Sequence, residues 1–264
     1  MKDYKTGIYN WFGYIMAIEE RIKLIKQAGY DYVMLWWEDE YYPYKVDRRE
    51  FNKILDSYDL KLDNVHLPFE NTNNLWSESS EERNNHVNMI KRWLYECRDS
   101  GVNTIVLHVT EGNEKSFDYS LGYDSFSKII KEAEKTGIKV AIENTQMLNY
   151  TEFILKEIDS PNLGFCYDSS HDFVNESSFG EILNRWQNKL MAVHLSDNDG
   201  LCDRHWIPGK GHVKWDRIIS IIKNTNIKSY SMETYPFESE KNMLPIDFLI
   251  KARENLEEIL DCNL

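Results

Sequence analysis

Met191-Ala-Val-His194-Leu-Ser-Asp-Asn-Asp-Gly200-Leu-Cys-Asp203-Arg-His205-Trp-Ile-Pro-Gly-Lys210-Gly-His-Val-Lys-Trp215 is the stretch on which the reading of this chain turns. It begins as a buried strand, Leu190 to Val193, and meets His194 where the apolar run stops. A long polar loop follows, with Asp203 and His205 two residues apart and a Gly-Lys-Gly turn behind them. An imidazole at the tip of a β run, followed by an Asp-x-His pair, suits a metal ion at the mouth of a barrel. A satisfied core histidine followed by a solvated acidic loop is the other reading of this stretch alone, and the rest of the chain must decide.

Outward from it, short β-rich apolar runs alternate with segments of helical period, with no linker between them. The strands are expected at Thr6 to Asn10, Tyr32 to Trp36, Leu62 to His66, Thr104 to His108, Lys139 to Glu143, Leu163 to Asp168, Leu190 to His194 and Ser229 to Glu233. Between them the spacing predicts helices over Ile15 to Ala28, Arg48 to Tyr58, Ser80 to Gly101, Asp124 to Thr136 and Thr151 to Ile158, with one ending near Trp186. Trp215 to Lys223 and Leu244 to Leu260 complete the set. Successive β-then-α units match an α/β chain folded as a single-domain (β/α)8 TIM barrel over residues 1–264. A doubly wound open sheet is the fallback, but the turn after the first strand, Asn10-Trp11-Phe12-Gly13-Tyr14, lacks a dinucleotide-binding glycine pattern.

With 264 residues and 42% hydrophobic content the chain can bury one sizeable core. Its formal net charge of -13 disfavours broad attraction to nucleic acid or to an anionic membrane. No apolar run is long enough to span a bilayer, and Met1 to Asn10 lacks an apolar signal core. Cys97, Cys166, Cys202 and Cys262 lie far apart, which argues against a thiolate zinc knuckle or a disulfide scaffold. A cytoplasmic protein with a small-molecule ligand is the expectation.

The strand ends carry the chemistry. Successive strands from the third onward finish in His66, His108, Glu143, Asp168, His194 and Glu233, every one able to ligate a metal. In a barrel all strand C-termini share one face, so residues far apart in sequence converge. His171, three residues after Asp168, joins them from a loop, as do Asp203 and His205. Four carboxylates and five imidazoles in one low-dielectric cup would be costly unless cations neutralised them. Of the remaining histidines, His86 falls inside a helix and is expected at the surface, and His212 is a loop residue without an evident partner. Imidazole with carboxylate suits Zn2+, Mn2+, Co2+ or Fe2+ better than Mg2+, with Zn2+ or Mn2+ favoured.

The set Ala-Ile-Glu143-Asn144, Cys-Tyr-Asp168-Ser-Ser-His171, His194-Leu-Ser-Asp-Asn-Asp-Gly200, Asp203-Arg-His205 with Pro-Gly-Lys-Gly, and Met-Glu233-Thr closely resembles the xylose isomerase-like TIM barrels over essentially the whole chain. That superfamily holds sugar phosphate isomerases and epimerases, inosose dehydratases and isomerases, and the endonuclease IV repair enzymes. Similarity to the ketose epimerases implies Glu143, Asp168, His194 and Glu233 as ligands of one central divalent ion. Similarity to endonuclease IV implies three ions. His66, His108 and bridging Glu143 would hold the first, the central four residues the second, and His171, Asp203 and His205 the third.

The resemblance implies a metal-dependent sugar or sugar phosphate isomerase or epimerase. It would abstract a proton next to a carbonyl through a metal-stabilised enediolate, with Glu143 and Glu233 as the paired catalytic carboxylates. Trp11, Trp36, Trp37 and Trp206 offer apolar platforms for a sugar face, and Lys210 a cation for a phosphate. An endonuclease IV-like AP endonuclease with a trinuclear zinc site is the alternative, and it is disfavoured by the net charge and by the acidic run Glu38-Asp39-Glu40 after the second strand. A lyase of the inosose or dehydroshikimate dehydratase type would use the same enolate chemistry. The expected partner is a sugar or polyol rather than nucleic acid or membrane, and a homo-oligomer is compatible with the sequence.

Overall fold

The computed structural model describes residues 4–112, 116–175 and 179–263. Eight parallel strands close into a barrel in the order β1 to β8. They are β1 Lys5–Tyr9, β2 Tyr32–Trp36, β3 Lys61–His66, β4 Thr104–His108, β5 Lys139–Glu143, β6 Leu163–Asp168, β7 Leu190–Leu195 and β8 Ser229–Met232. The helices outside are α1 Ile18–Gln27, α2 Phe51–Ser57, α3 Ser80–Asp99, α4 Tyr119–Thr136, α5 Leu148–Glu157, α6 Ser169–Asn175, α7 Glu181–Trp186, α8 Trp215–Ile222 and α9 Pro245–Asn263. Because helices cover the sheet from outside, the strands read as nearly unbroken apolar runs rather than as alternating ones.

Two cores result from the alternation of side chains along each strand. Outward residues such as Ile8, Val65, Ile105, Ile142, Phe165 and Val193 meet helix residues such as Ile22, Ile90, Phe126 and Ile154 in one continuous apolar layer. Burying each such side chain contributes about 1.5–3 kcal/mol. Inward, Val106, Ala141, Cys166 and Ala192 make a small plug of modest side chains. Asn64 and Ser231 are also fully buried on these strands. The polar tips therefore rest on a packed floor.

Register sets those tips at a common height. Trp36 stands beside His66, His108 beside Glu143, and Asp168 beside His194. The last member differs slightly from expectation, since β8 ends at Met232 and Glu233 is the first residue past it.

Several helix boundaries also differ from expectation. Helix α1 starts at Ile18, and Ile15 is 76% exposed on the preceding loop. Helix α4 starts at Tyr119 because the Asp118 side chain caps it by accepting from the Ser120 backbone N–H. The helix expected before Trp186 is two, α6 and α7, and Gly180 precedes α7 with φ of 82°. His86 is buried, not surface: it lies on the inward stripe of α3 with Ile90, Leu94 and Cys97.

Candidate metal centre

The β3 to β8 tips and the loop after β7 together form a cup of about 560 Å³, lined by His66, His108, Glu143, His171, Asp203, His205 and Glu233. Glu143 is its centre. One carboxylate oxygen lies 3.2 Å from His66 Nε2, 3.5 Å from His108 Nε2 and 3.5 Å from His194 Nδ1, and the other lies 3.2 Å from His171 Nδ1. Glu233 reaches the same His194 Nδ1 at 3.4 Å. Asp203 bridges His171 Nε2 at 3.2 Å and His205 Nε2 at 2.8 Å. All nine candidate residues, six from the strand ends and three from the loops, thus meet in one place, Asp168 joining at 3.9 Å from His171 Nδ1.

Backbone carbonyls select the tautomers. His66 donates from Nδ1 to the Leu67 carbonyl at 2.8 Å, and His205 donates from Nδ1 to the Glu233 carbonyl at 3.1 Å. Each leaves Nε2 facing the cup, and that nitrogen, once deprotonated, is the form a metal accepts. His66 Nε2 and His108 Nε2 face one another at 3.2 Å with Glu143 beside both. Ligand atoms of Glu143, Asp168 and His171 lie within 4.8 Å of one another, and so do those of Asp168, His194 and Glu233.

Charge makes the same point. Burial opposes protonation of His171, yet Asp168, Asp203 and Glu143 hold its pKa well above the ordinary value. The pKa of His205 rises to about 9 against burial, through Asp203 and Glu233. Burial pushes Glu233 up, but His194 and His205 outweigh it and bring it to about 2. Asp168 goes the other way, to about 6, because burial and neighbouring acids exceed the help from His171. Such a cup demands positive charge, and a divalent ion would supply it in place of the protons. Two buried atoms, Asp168 Oδ2 and His194 Nδ1, have no hydrogen-bond partner, as expected of donor atoms meant for an ion. The residues fit a divalent cation.

The surrounding side chains hold the donors in place. Asn144 clamps β5 to β6 by donating to the Asp168 carbonyl at 2.8 Å and accepting from the Asp168 N–H at 2.7 Å. The loop carrying Asp203 and His205 is tied to a single buried carboxylate. Asp197 accepts from the backbone N–H of Asn198, Gly209 and Val213 and from Trp215 Nε1, at 2.9 to 3.0 Å. Gly211 is needed there for space, since a Cβ would lie 2.3 Å from the Asn198 carbonyl oxygen and 2.4 Å from Asp197 Oδ1.

The expected sugar platforms separate into two groups. Trp11 and Trp36 line the cup, the latter stacked on His66 with centroids 5.3 Å apart. Trp37 is 1% exposed and faces a second cavity. Trp206 packs on Phe237 and, with Lys210, lines a separate small cavity. The loop pairs Trp206 with Asp197 backbone to backbone, which carries this end of it away from the cup. His212 is exposed, its N–H bonded to the Asn198 carbonyl. Sequence reasoning missed Phe69, stacked on His108 at 4.7 Å, as well as Tyr9 and Tyr235 in the cup wall. It also missed Cys166, whose sulfur lies within 4.8 Å of Glu143 and His194 donor atoms and whose thiol burial pushes up to about 12. Its position two residues before Asp168 on β6 puts it on the same inward face, a signal available in the sequence.

A family model of the xylose isomerase-like TIM barrel matches residues 22–258. The chain belongs to that family. An uncharacterised protein of Sinorhizobium fredii is 24% identical over 250 residues, covering 82% of this chain and 80% of its own. A probable endonuclease 4 of Mesoplasma florum is 24% identical over 207 residues, covering 67% of this chain and 68% of its own. Among solved structures, a D-tagatose 3-epimerase-like protein superposes with a TM-score of 0.79 at 22% identity over 98% of both chains. An L-ribulose 3-epimerase does so with 0.78 at 15% identity, over 98% of this chain and 95% of its own. These structural likenesses concern the shared barrel. No helix of the described residues is long and apolar enough to cross a membrane.

Proposed function

We propose that this family member is a metal-dependent isomerase or epimerase of a neutral carbonyl sugar. The observation that carries the reading is the pair Glu143 and Glu233, both within 3.5 Å of His194 Nδ1, in a cup whose described walls include Trp11, Trp36 and Phe69 but no Lys or Arg. That lining favours an uncharged polyol over a phosphate ester or a DNA backbone. The epimerase and the epimerase-like protein among the structural neighbours support the same class.

Glu143, Asp168, His194 and Glu233 would hold the central ion, with His66 and His108 on one flank and His171, Asp203 and His205 on the other. Bound there, a divalent cation would polarise the substrate carbonyl and stabilise charge developing on its oxygen. Glu233, ionised at neutral pH, takes the proton from the carbon next to the carbonyl. Glu143, which His194 and His108 hold ionised against burial, takes up a proton from solvent and returns it to the opposite face while Glu233 releases the one it took, and the two exchange roles in reverse. Trp36 and Phe69 cover the cup's imidazoles with aromatic surface and limit water at the reacting carbon.

The test is deuterium incorporation at the carbon next to the carbonyl, followed by NMR across a panel of ketoses and inososes. Incorporation lost in Glu233→Gln supports the reading, and incorporation accompanied by net loss of water assigns the dehydratase branch. A second reading follows from the His171, Asp203 and His205 cluster, which completes a nine-donor set like that implied by the endonuclease IV resemblance. Nicking of an abasic-site duplex by the metal-loaded protein, abolished by Glu143→Gln, would replace the isomerase with that repair activity.

A further inference from the structure

Beside the cup lies a larger cavity, about 760 Å³, that the mechanism does not use. Glu38, Asp39 and Glu70 line both, so the two spaces share a wall and open next to each other. It lies where the loop after β2 meets α3, with Tyr41 and Trp93 presenting aromatic surface and Asn74, Asn85 and Arg92 presenting polar groups. Arg92 makes no hydrogen bond or ion pair among the described residues, whereas Arg48 is engaged by Asp39 at 3.2 Å and Glu96 at 2.7 Å. His86, 5% exposed in the same wall, has an Nε2 without a hydrogen-bond partner.

The charge of this lining narrows the ligand. Glu38, Asp39, Glu70 and Glu82 stand against Arg48 and Arg92, so the cavity carries no positive excess that would hold a phosphate or a polyanion. Burial lowers the pKa of His86, so it adds a neutral imidazole. Aromatic faces interleaved with amides, carboxylates and a fork of guanidinium donors suit a ring with apolar faces and a hydroxyl rim. A wholly apolar ligand would strand these polar groups without partners.

We infer that the second cavity is a subsite for a neutral glycosyl group, and that the substrate is an extended one, a ketose carrying a further sugar ring, rather than a free monosaccharide. The inference rests on the isomerase reading for the reacting half, while the subsite itself can be tested by binding alone. In the substrate the carbonyl end enters the cup past Glu38 and Glu70, and the second ring lies against Trp93 and Tyr41. Interactions with a non-reacting ring raise kcat/KM for the extended substrate when they persist in the transition state.

The experiment compares fructose with the ketose disaccharides lactulose and isomaltulose, read by solvent deuterium exchange, and titrates the same sugars onto the metal-loaded protein by calorimetry. The expected result is a kcat/KM at least tenfold higher for a disaccharide, and a disaccharide-to-monosaccharide ratio that falls about tenfold in Trp93→Ala. Because Trp93 also packs against the core, Asn85→Trp is the second variant: it sits on the exposed face of α3 and fills the cavity without removing core contacts. It should lower the same ratio and weaken disaccharide binding about tenfold. Exchange on fructose with neither disaccharide preferred or bound more tightly overturns the subsite and leaves the isomerase standing. Disaccharide binding that both variants weaken, with no exchange on any sugar, overturns the isomerase and keeps the subsite.

Discussion

Replacing Asp197 by Asn tests whether one buried carboxylate holds a third of the proposed metal cluster in place. The change is nearly isosteric, so it leaves no cavity, but it puts an NH2 where a carboxylate oxygen had been. Oδ1 of Asp197 accepts from the Asn198 and Val213 N–H groups, and Oδ2 from the Gly209 N–H and Trp215 Nε1. Whichever way the amide turns, two donors then face its NH2, at least one of them buried. A hydrogen bond to a charged group contributes about 1.5–3 kcal/mol, so losing two costs about 3 kcal/mol or more. For a chain of this length that lowers the melting temperature by at least about 6 °C. The expected accompaniment is loss of the ion at His171, Asp203 and His205, since both loop ligands lie between the tethered Asn198 and Gly209, while the Glu143, Asp168, His194 and Glu233 group keeps its own. Urea unfolding gives the stability and elemental analysis the stoichiometry. An Asp197→Asn protein within about 1 kcal/mol of the parent and with full metal content would refute the argument.

Stripping the protein with a chelator should lower its melting temperature by about 5 °C or more relative to protein held at a hundred times the Kd in Zn2+ or Mn2+, where binding adds about 2.7 kcal/mol; no shift in calorimetry would deny the ion a place in the fold. His205, raised to about 9 from an ordinary 6.5, makes the stripped protein sensitive to alkali. Its contribution, on the order of 3 kcal/mol, is complete below pH 6.5 and is lost as pH rises through 9, and saturating metal should flatten that decline in urea titrations across the range. Glu233→Gln should reduce kcat by about 10²- to 10⁴-fold, and retention of more than a tenth of the parent rate would remove Glu233 from proton transfer.

The strand tips are legible in the sequence because each closes an apolar run, and parallel strands point one way whatever their order. The convergence of the candidate ligands follows from that rule, helped by the short spacings from Asp168 to His171 and from Asp203 to His205. What escapes is set by contacts that no period encodes. Trp206 and Lys210 have the right chemistry for a sugar or phosphate, but the backbone pairing of Asp197 with Trp206 turns that part of the loop outward. Phe69 comes into the cup only because the chain after β3 folds back over His108. The buried side chain of His86 repeats with Ile90, Leu94 and Cys97 at helical spacing, so its burial was readable once the stripe was drawn through a polar residue. The acidic run Glu38-Asp39-Glu40, which disfavours a DNA backbone, is built into the rim: Glu38 accepts from Trp36 Nε1, Asp39 pairs with Arg48, and Glu40 pairs with the buried Arg21.

The manner in which Asp203 and His205 are mounted has an evolutionary corollary. Their segment is pinned at its two ends to Asp197 and contributes nothing to the sheet, so it behaves as an exchangeable cassette on a permanent chassis. A lengthened, shortened or recharged segment would gain or discard one corner of the proposed metal cluster while every strand keeps its pairing. A change of chemistry here would need a rewritten loop and would leave the closed ring beneath untouched.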